Sequence, residues 1–237
     1  MTSALPSTSD QPDFLWRSRQ DALIASLQQQ PLLVVVRPDD LDLAGHASGI
    51  SLIDQLRVLQ DIGLMHVEVA WRDDSRWPEF IRRLADTCPK LVVGAASVVE
   101  QRALDVLAEL DLSYAMSPCW DPVLLDQARQ RGILLVPGVF SPTEVMQAIR
   151  SGCRLVKLFP AATLGCRYWS RLLVPLGKRP AVIAAGGLAV SDLEEWLSAG
   201  HDAVALGRRV MGPDGVDDDL LRWLQGSPME RRCHPTG

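Results

Sequence analysis

Arg154-Leu155-Val156-Lys157-Leu158-Phe159-Pro160 places one lysine inside an apolar run, with Gly152 before it and Pro160 closing it. Five or six residues between breakers is the length of a strand, not of a helix, and Val156 and Phe159 favour extended backbone. Side chains alternate in a strand, so Leu155, Lys157 and Phe159 share one face and Val156 and Leu158 the other. A lysine in this position has two readings. At a sheet edge it blocks aggregation. Enclosed, it loses hydration, its pKa falls, and a neutral nucleophilic amine becomes accessible near neutral pH. The surrounding chain decides between them.

Outward from this run the same unit recurs. Upstream lie the apolar segments Leu32–Arg37, Met65–Trp71, Leu91–Ala96, Ser113–Ser117 and Ile133–Val136; downstream lie Ala181–Ala185 and Ala203–Leu206. Between them the spacing predicts helices, among them 51–61, 78–87, 98–110, 164–173 and a closing helix at 217–225. Asp121-Pro122, the capping box of Ser141 and Glu144, and the Ser191/Glu194 pair are start signals. Gly63, Gly132, Gly152 and Gly200 each precede a strand, where a βα repeat needs a left-handed helix terminus. Eight strands alternating with helices predict a closed (β/α)8 TIM barrel, preceded by an extra N-terminal helix over 14–29. A doubly wound open sheet is the competitor, but no G-x-G-x-x-G follows the first strand. The organisation expected is a disordered tail over 1–12, one barrel domain over 13–225, and a polar tail over 226–237.

Composition narrows the function. A net charge of −5 gives no electrostatic case for nucleic acid, and neither a basic run nor a long apolar stretch suggests a membrane. Five scattered cysteines without a C-x-x-C pair fit reduced thiols in a cytoplasmic protein, with no disulfide framework and no metal site.

Catalytic groups of a barrel stand at the C-terminal ends of its strands. Here these are Arg37, Glu68 with Arg72, Ser97, Ser117-Pro118, Pro137-Gly138, Lys157 with Phe159, Gly186-Gly187 and Gly207-Arg208. An enclosed lysine near a carboxylate suits imine chemistry on a carbonyl substrate, with the carboxylate moving protons. Arginines suit recognition of a carboxylate, and glycines ahead of helix N-termini suit a phosphate. Simpler readings stand beside these. Glu68 fits an interior ion pair with Arg37. Arg72, about 13 Å beyond Glu68 along an extended strand, fits a surface charge unless the chain bends. Ser97 with Glu100 fits a helix cap, and Gly186-Gly187 a plain turn. His66 shares the Glu68 face but sits deeper, as a hydrogen-bonded core residue.

Taken together, Glu68-Val69-x-x-Arg72, Val93-Gly94-Ala95-x-Ser97, Ser117-Pro118, Val136-Pro137-Gly138, Lys157-Leu158-Phe159-Pro160-Ala161 and Gly186-Gly187 resemble the class I 2-keto-3-deoxy-6-phosphogluconate (KDPG) / 4-hydroxy-2-oxoglutarate (KHG) aldolases over roughly residues 14–210. The resemblance implies a homotrimeric barrel that forms a pyruvate Schiff base and needs no cofactor or metal. Lys157 would be the Schiff-base lysine, Glu68 the acid/base group and Arg72 the holder of the pyruvate carboxylate. Ser97 would replace a threonine hydroxyl, and Pro118 and Phe159 would shape the pocket. The departures are Ala70-Trp71, Ala96-Ser97, Ala185 and Leu206-Gly207-Arg208; they fall on the phosphate end more than on the catalytic pair. The function expected is cleavage of a 4-hydroxy-2-oxo acid to pyruvate and an aldehyde. The rivals are a phosphate-binding barrel isomerase or synthase and a non-catalytic barrel serving as a binding or assembly module.

Overall fold

A computed structural model describes residues 11–46, 50–177, 179–212 and 215–226. Among these, nine strands form one parallel sheet: β1 Leu32–Val36, β2 His66–Ala70, β3 Val92–Ala96, β4 Tyr114–Met116, β5 Leu134–Val136, β6 Gly138–Val139, β7 Leu155–Leu158, β8 Ala181–Ala185 and β9 Ala203–Leu206. Their order is β5-β4-β3-β2-β1-β9-β8-β7-β6. The outermost two, β5 and β6, are halves of one segment parted by Pro137, so the sheet closes on itself. Proline has no N–H to give the ladder and splits the strand. The halves stay joined to opposite neighbours: the Ser117 backbone N–H donates to the Val136 carbonyl (3.0 Å) and the Lys157 backbone N–H to the Pro137 carbonyl (2.9 Å). This is the expected (β/α)8 barrel, its fifth strand counted twice.

Helices α1 Gln11–Gln29, α2 Asp40–Ala44, α3 Leu52–Asp61, α4 Trp77–Thr87, α5 Gln101–Glu109, α6 Pro122–Gln130 and α7 Pro142–Arg150 lie between or before the strands. The glycines expected to end helices do so at positive φ: Gly63 103°, Gly132 69°, Gly152 82° and Gly200 93°. Asp121 caps α6, and Ser141 with Glu144 forms the capping box of α7. The extra helix α1 lies across the N-terminal ends of the strands, burying Trp16, Leu23 and Leu27. Glutamine amides on α1 and just past its end replace missing backbone partners there. Gln30 accepts from Met65 N–H and donates to the Gly63 carbonyl, both at 2.7 Å, while Gln20 accepts from Arg154 N–H at 2.7 Å.

Four expectations change. The tail over 1–12 is shorter, since Gln11 and Pro12 already belong to α1; the rest of it, and 227–237, lie outside the described residues. The single helix over 164–173 is instead α8 Ala161–Leu164, α9 Tyr168–Arg171 and α10 Leu173–Leu176, because Gly165 turns to φ 80° and ends the first. Between the expected strand ending at Arg37 and the expected helix starting at 51, where no element was foreseen, lies α2, capped by Asp39. Ser191 does not cap a helix: a 3-10 turn at Val190–Asp192 precedes α11 Leu193–Ser198, and the Asp192 carboxylate accepts from Ala189 N–H at 2.7 Å.

Candidate active site

Lys157 and Glu68 both lie inside the barrel. Lys157 is 6% exposed and Glu68 fully buried. The lysine sits on β7, bonded on both sides, with Gly138 and Ile183 as register partners; it is not at an edge. Glu68 sits on β2 between Val35 and Gly94. Neither carboxylate oxygen has a hydrogen-bond partner. Burial pushes this carboxyl up to about 7, against the opposing pull of Lys157 and then Arg37. Burial also lowers the Lys157 ammonium; Glu68 acts the other way and Arg37 adds to the depression. The two groups therefore approach each other in proton affinity, and exchange of a proton between states of similar energy is what acid/base chemistry near neutral pH requires.

The barrel makes room for this pair with glycine at two close approaches. A Cβ on Gly94 would lie 2.2 to 2.7 Å from the Tyr114 ring. That ring fills the space Gly94 leaves beside Glu68, and its hydroxyl donates to the Val67 carbonyl at 3.3 Å. A Cβ on Gly138 would strike the Pro118 carbonyl at 2.3 to 2.4 Å, so Pro118 folds over the strand next to Lys157. Tyr114 was missed in the sequence; the signal was a glycine in register with the one strand carboxylate.

Around the pair, Arg37 leaves the end of β1 and reaches Ser97, Nη1 to Oγ at 3.4 Å. Ser97 holds a positive φ of 61° and does not cap α5, whose preceding residue is Glu100. The helix-cap reading therefore falls. Lys157 Nζ stands 5.5 Å from the centre of the Phe159 ring. The same ring lies against Gly186, where a Cβ would meet it at 2.9 Å, and Gly186 accepts from Ala162 N–H at 3.1 Å. Gly187 turns alongside at φ 84°.

Three expected members have other surroundings. β2 ends at Ala70, and the Arg72 guanidinium is turned to the Pro38 carbonyl (3.1 Å) and to Asp40 (2.7 Å). Gly207 and Arg208 line a cavity of about 520 Å³ between the β1 and β9 loops, which Arg37, Leu41 and Gln55 also line and Gly186 and Gly187 do not. Among the described residues no three His, Cys, Asp or Glu side chains converge as a metal set, and no helix is long and apolar enough to cross a membrane.

Comparison with known proteins places this geometry. The family model "KDPG and KHG aldolase" matches residues 24–221. The 2-dehydro-3-deoxy-phosphogluconate aldolase of Dickeya dadantii (strain 3937) is 30% identical over 184 residues, 77% of this chain and 80% of the relative. The 2-dehydro-3-deoxy-6-phosphogalactonate aldolase of Escherichia coli (strain K12) is 28% identical over 148 residues, 62% and 72% of the two chains. Among solved structures, KDPG aldolase from Legionella pneumophila, with pyruvate captured as a covalent carbinolamine, superposes with a TM-score of 0.69 at 22% identity, covering 85% of this chain and 95% of that one; at that identity the likeness speaks for the fold. A buried lysine and carboxylate inside a closed barrel, and a family match spanning that barrel, lead to one assignment: the chain belongs to the KDPG and KHG aldolase family.

Proposed function

We propose that residues 13–225 form one catalytic barrel, a pyruvate-forming class I aldolase acting on a 4-hydroxy-2-oxo acid, with Lys157 as nucleophile and Glu68 as proton relay. The observation that carries this reading is the burial of both groups in one barrel interior, with the two carboxylate oxygens free to take a proton. The neutral Lys157 amine attacks C2, forming an N–C bond; the former carbonyl oxygen takes one proton from the amine nitrogen and a second from the Glu68 carboxyl and leaves as water, giving the protonated imine and a Glu68 carboxylate. Glu68 accepts the proton of the C4 hydroxyl as the C3–C4 bond breaks, and that electron pair flows through C3 towards the iminium nitrogen. The aldehyde departs. Protonation of the enamine at C3 and hydrolysis then return pyruvate and free Lys157. Arg72 takes the substrate carboxylate, Arg37 and Ser97 hold the oxygen-rich face, and Phe159 and Pro118 wall the imine. The far end of the substrate extends past the Gly186-Gly187 turn or into the cavity lined by Gly207 and Arg208.

The chemistry in this reading is a covalent lysine imine without metal or cofactor, in the cytoplasm, where scattered unpaired cysteines stay reduced. A homotrimer belongs to it as well: Val99, Val123 and Phe140, 46 to 64% exposed, follow β3, β4 and β6 at the same rim and suit contact with another copy. Borohydride reduction in the presence of pyruvate is expected to add the mass of a reduced pyruvyl group to Lys157, read by peptide mass spectrometry. No adduct on folded protein would overturn the imine mechanism and leave the isomerase and binding-module readings standing.

A further inference from the structure

Arg72 already holds a carboxylate belonging to the chain itself. Its Nη2 lies 2.7 Å from Asp40 Oδ1 and its Nη1 donates to the Pro38 carbonyl at 3.1 Å. Both terminal nitrogens of the guanidinium fork are thus engaged, and these are the donors that grip an incoming carboxylate from two sides. Asp40 opens α2, whose far end is held by Arg83 through the Asp42 and Leu43 carbonyls at 2.9 and 3.2 Å. Leu41, on the same short helix, lines the cavity that Arg37 and Arg208 share. The side chains of Arg72 and Asp40 are 38% and 73% exposed, so the pair is weak and exchangeable. Asp40 also has a second cation at hand: Arg76 Nη2 stands 3.5 Å from the same oxygen while paired with Asp74 at 2.6 Å.

We propose that Asp40 is an internal competitor for the oxo-acid carboxylate at Arg72. The substrate carboxylate displaces Asp40, which keeps only its longer contact to Arg76, and α2 loses the shorter of its two side-chain ties to the segment that follows β2. Substrate capture and the seating of one cavity wall are then a single exchange between two carboxylates. This rests on the reading above that Arg72 takes the substrate carboxylate. It assigns Asp40 a positioning role, setting affinity and not the rate of bond cleavage.

The test is borohydride trapping at Lys157 over a range of pyruvate concentrations, with amide hydrogen exchange across residues 40–45. Asp40→Asn keeps the shape and removes the competing charge. It is expected to lower the half-saturating pyruvate concentration about two- to fivefold, the factor an exposed ion pair sets, and to leave the limiting trapping rate unchanged. Pyruvate is expected to speed exchange in α2 of the parent protein and to change it little in Asp40→Asn. An unchanged or higher half-saturation in Asp40→Asn, or slower exchange in α2 on adding pyruvate to the parent, overturns the proposal. Arg72→Gln separates the two layers: it is expected to raise half-saturation about tenfold or more. If it does and Asp40→Asn fails, only the competition is lost; if it does not, the role of Arg72 falls and the competition with it.

Discussion

His66 and Glu68 stand two residues apart on one strand and point to one side, yet the barrel treats them differently. His66 lies at the N-terminal end, where α1 closes the barrel and Ser26 meets its Nε2 at 2.7 Å. Burial lowers its pKa to about 4, so it stays neutral. Glu68 lies one pleat closer to the open end, with neither oxygen partnered and its carboxyl raised to about 7. At the end covered by α1 the imidazole is held neutral with one nitrogen bonded, although its Nδ1 lacks a partner. The other end keeps an ionisable group dehydrated and poised, and a buried acid left without partners is a burden on stability that only function accounts for.

The two shifts act oppositely on stability. His66 has a folded value below its ordinary one, so its contribution is complete above about pH 6.5 and is lost as pH falls towards 4. Glu68 has a folded value above its ordinary one, so its contribution is intact below about pH 4.5 and is lost as pH rises through 7. Each amounts to roughly 3 kcal/mol. Between about pH 4.5 and 6.5 they largely offset each other, so the parent protein hides both.

Substitution exposes them one at a time. Glu68→Gln is expected to slow turnover by roughly 10²–10⁴ and to stabilise the fold by up to ~3 kcal/mol at pH 8, with the gain gone at pH 4. Steady-state kinetics and urea unfolding at the two pH values check this; an unchanged rate would make Glu68 structural. His66→Gln acts at the other end. Loss of the acid-side slope of about 3 kcal/mol is expected between pH 6.5 and 4, with turnover close to that of the parent. A large loss of turnover would place His66 in the chemistry instead. Gly94→Ala blurs the contrast by pressing a methyl into the Tyr114 ring beside Glu68. Overpacking of this kind is expected to lower stability by roughly 1–3 kcal/mol and to shift the basic limb of the pH–rate profile. A profile that keeps its shape would mean that Tyr114 is no part of the environment of Glu68.

Much of this was legible in local sequence because local physics decides it. Strand length and alternation around Lys157, the helix-ending glycines and the capping residues Asp121 and Ser141 depend on near neighbours, and each took the expected place. The misses share the opposite cause. Helical periodicity over 164–173 concealed the turn at Gly165, and the hydroxyl of Ser191 lost to the carboxylate of Asp192. Arg72 met Asp40, 32 residues away in the chain, a contact that no spacing rule reveals.

What the sequence determined by itself is therefore a repeating βα chain with one lysine and one carboxylate on its strands, since pattern and residue type are properties of neighbours. Only closure of the sheet put that lysine and that carboxylate into one dry interior, because desolvation comes from residues far apart in the chain. Tertiary structure alone also split the fifth strand at Pro137, laid Tyr114 over Gly94 and turned Arg72 towards Asp40. Those are choices made by distance and packing, and they set proton affinity and access where residue type sets only the available chemistry.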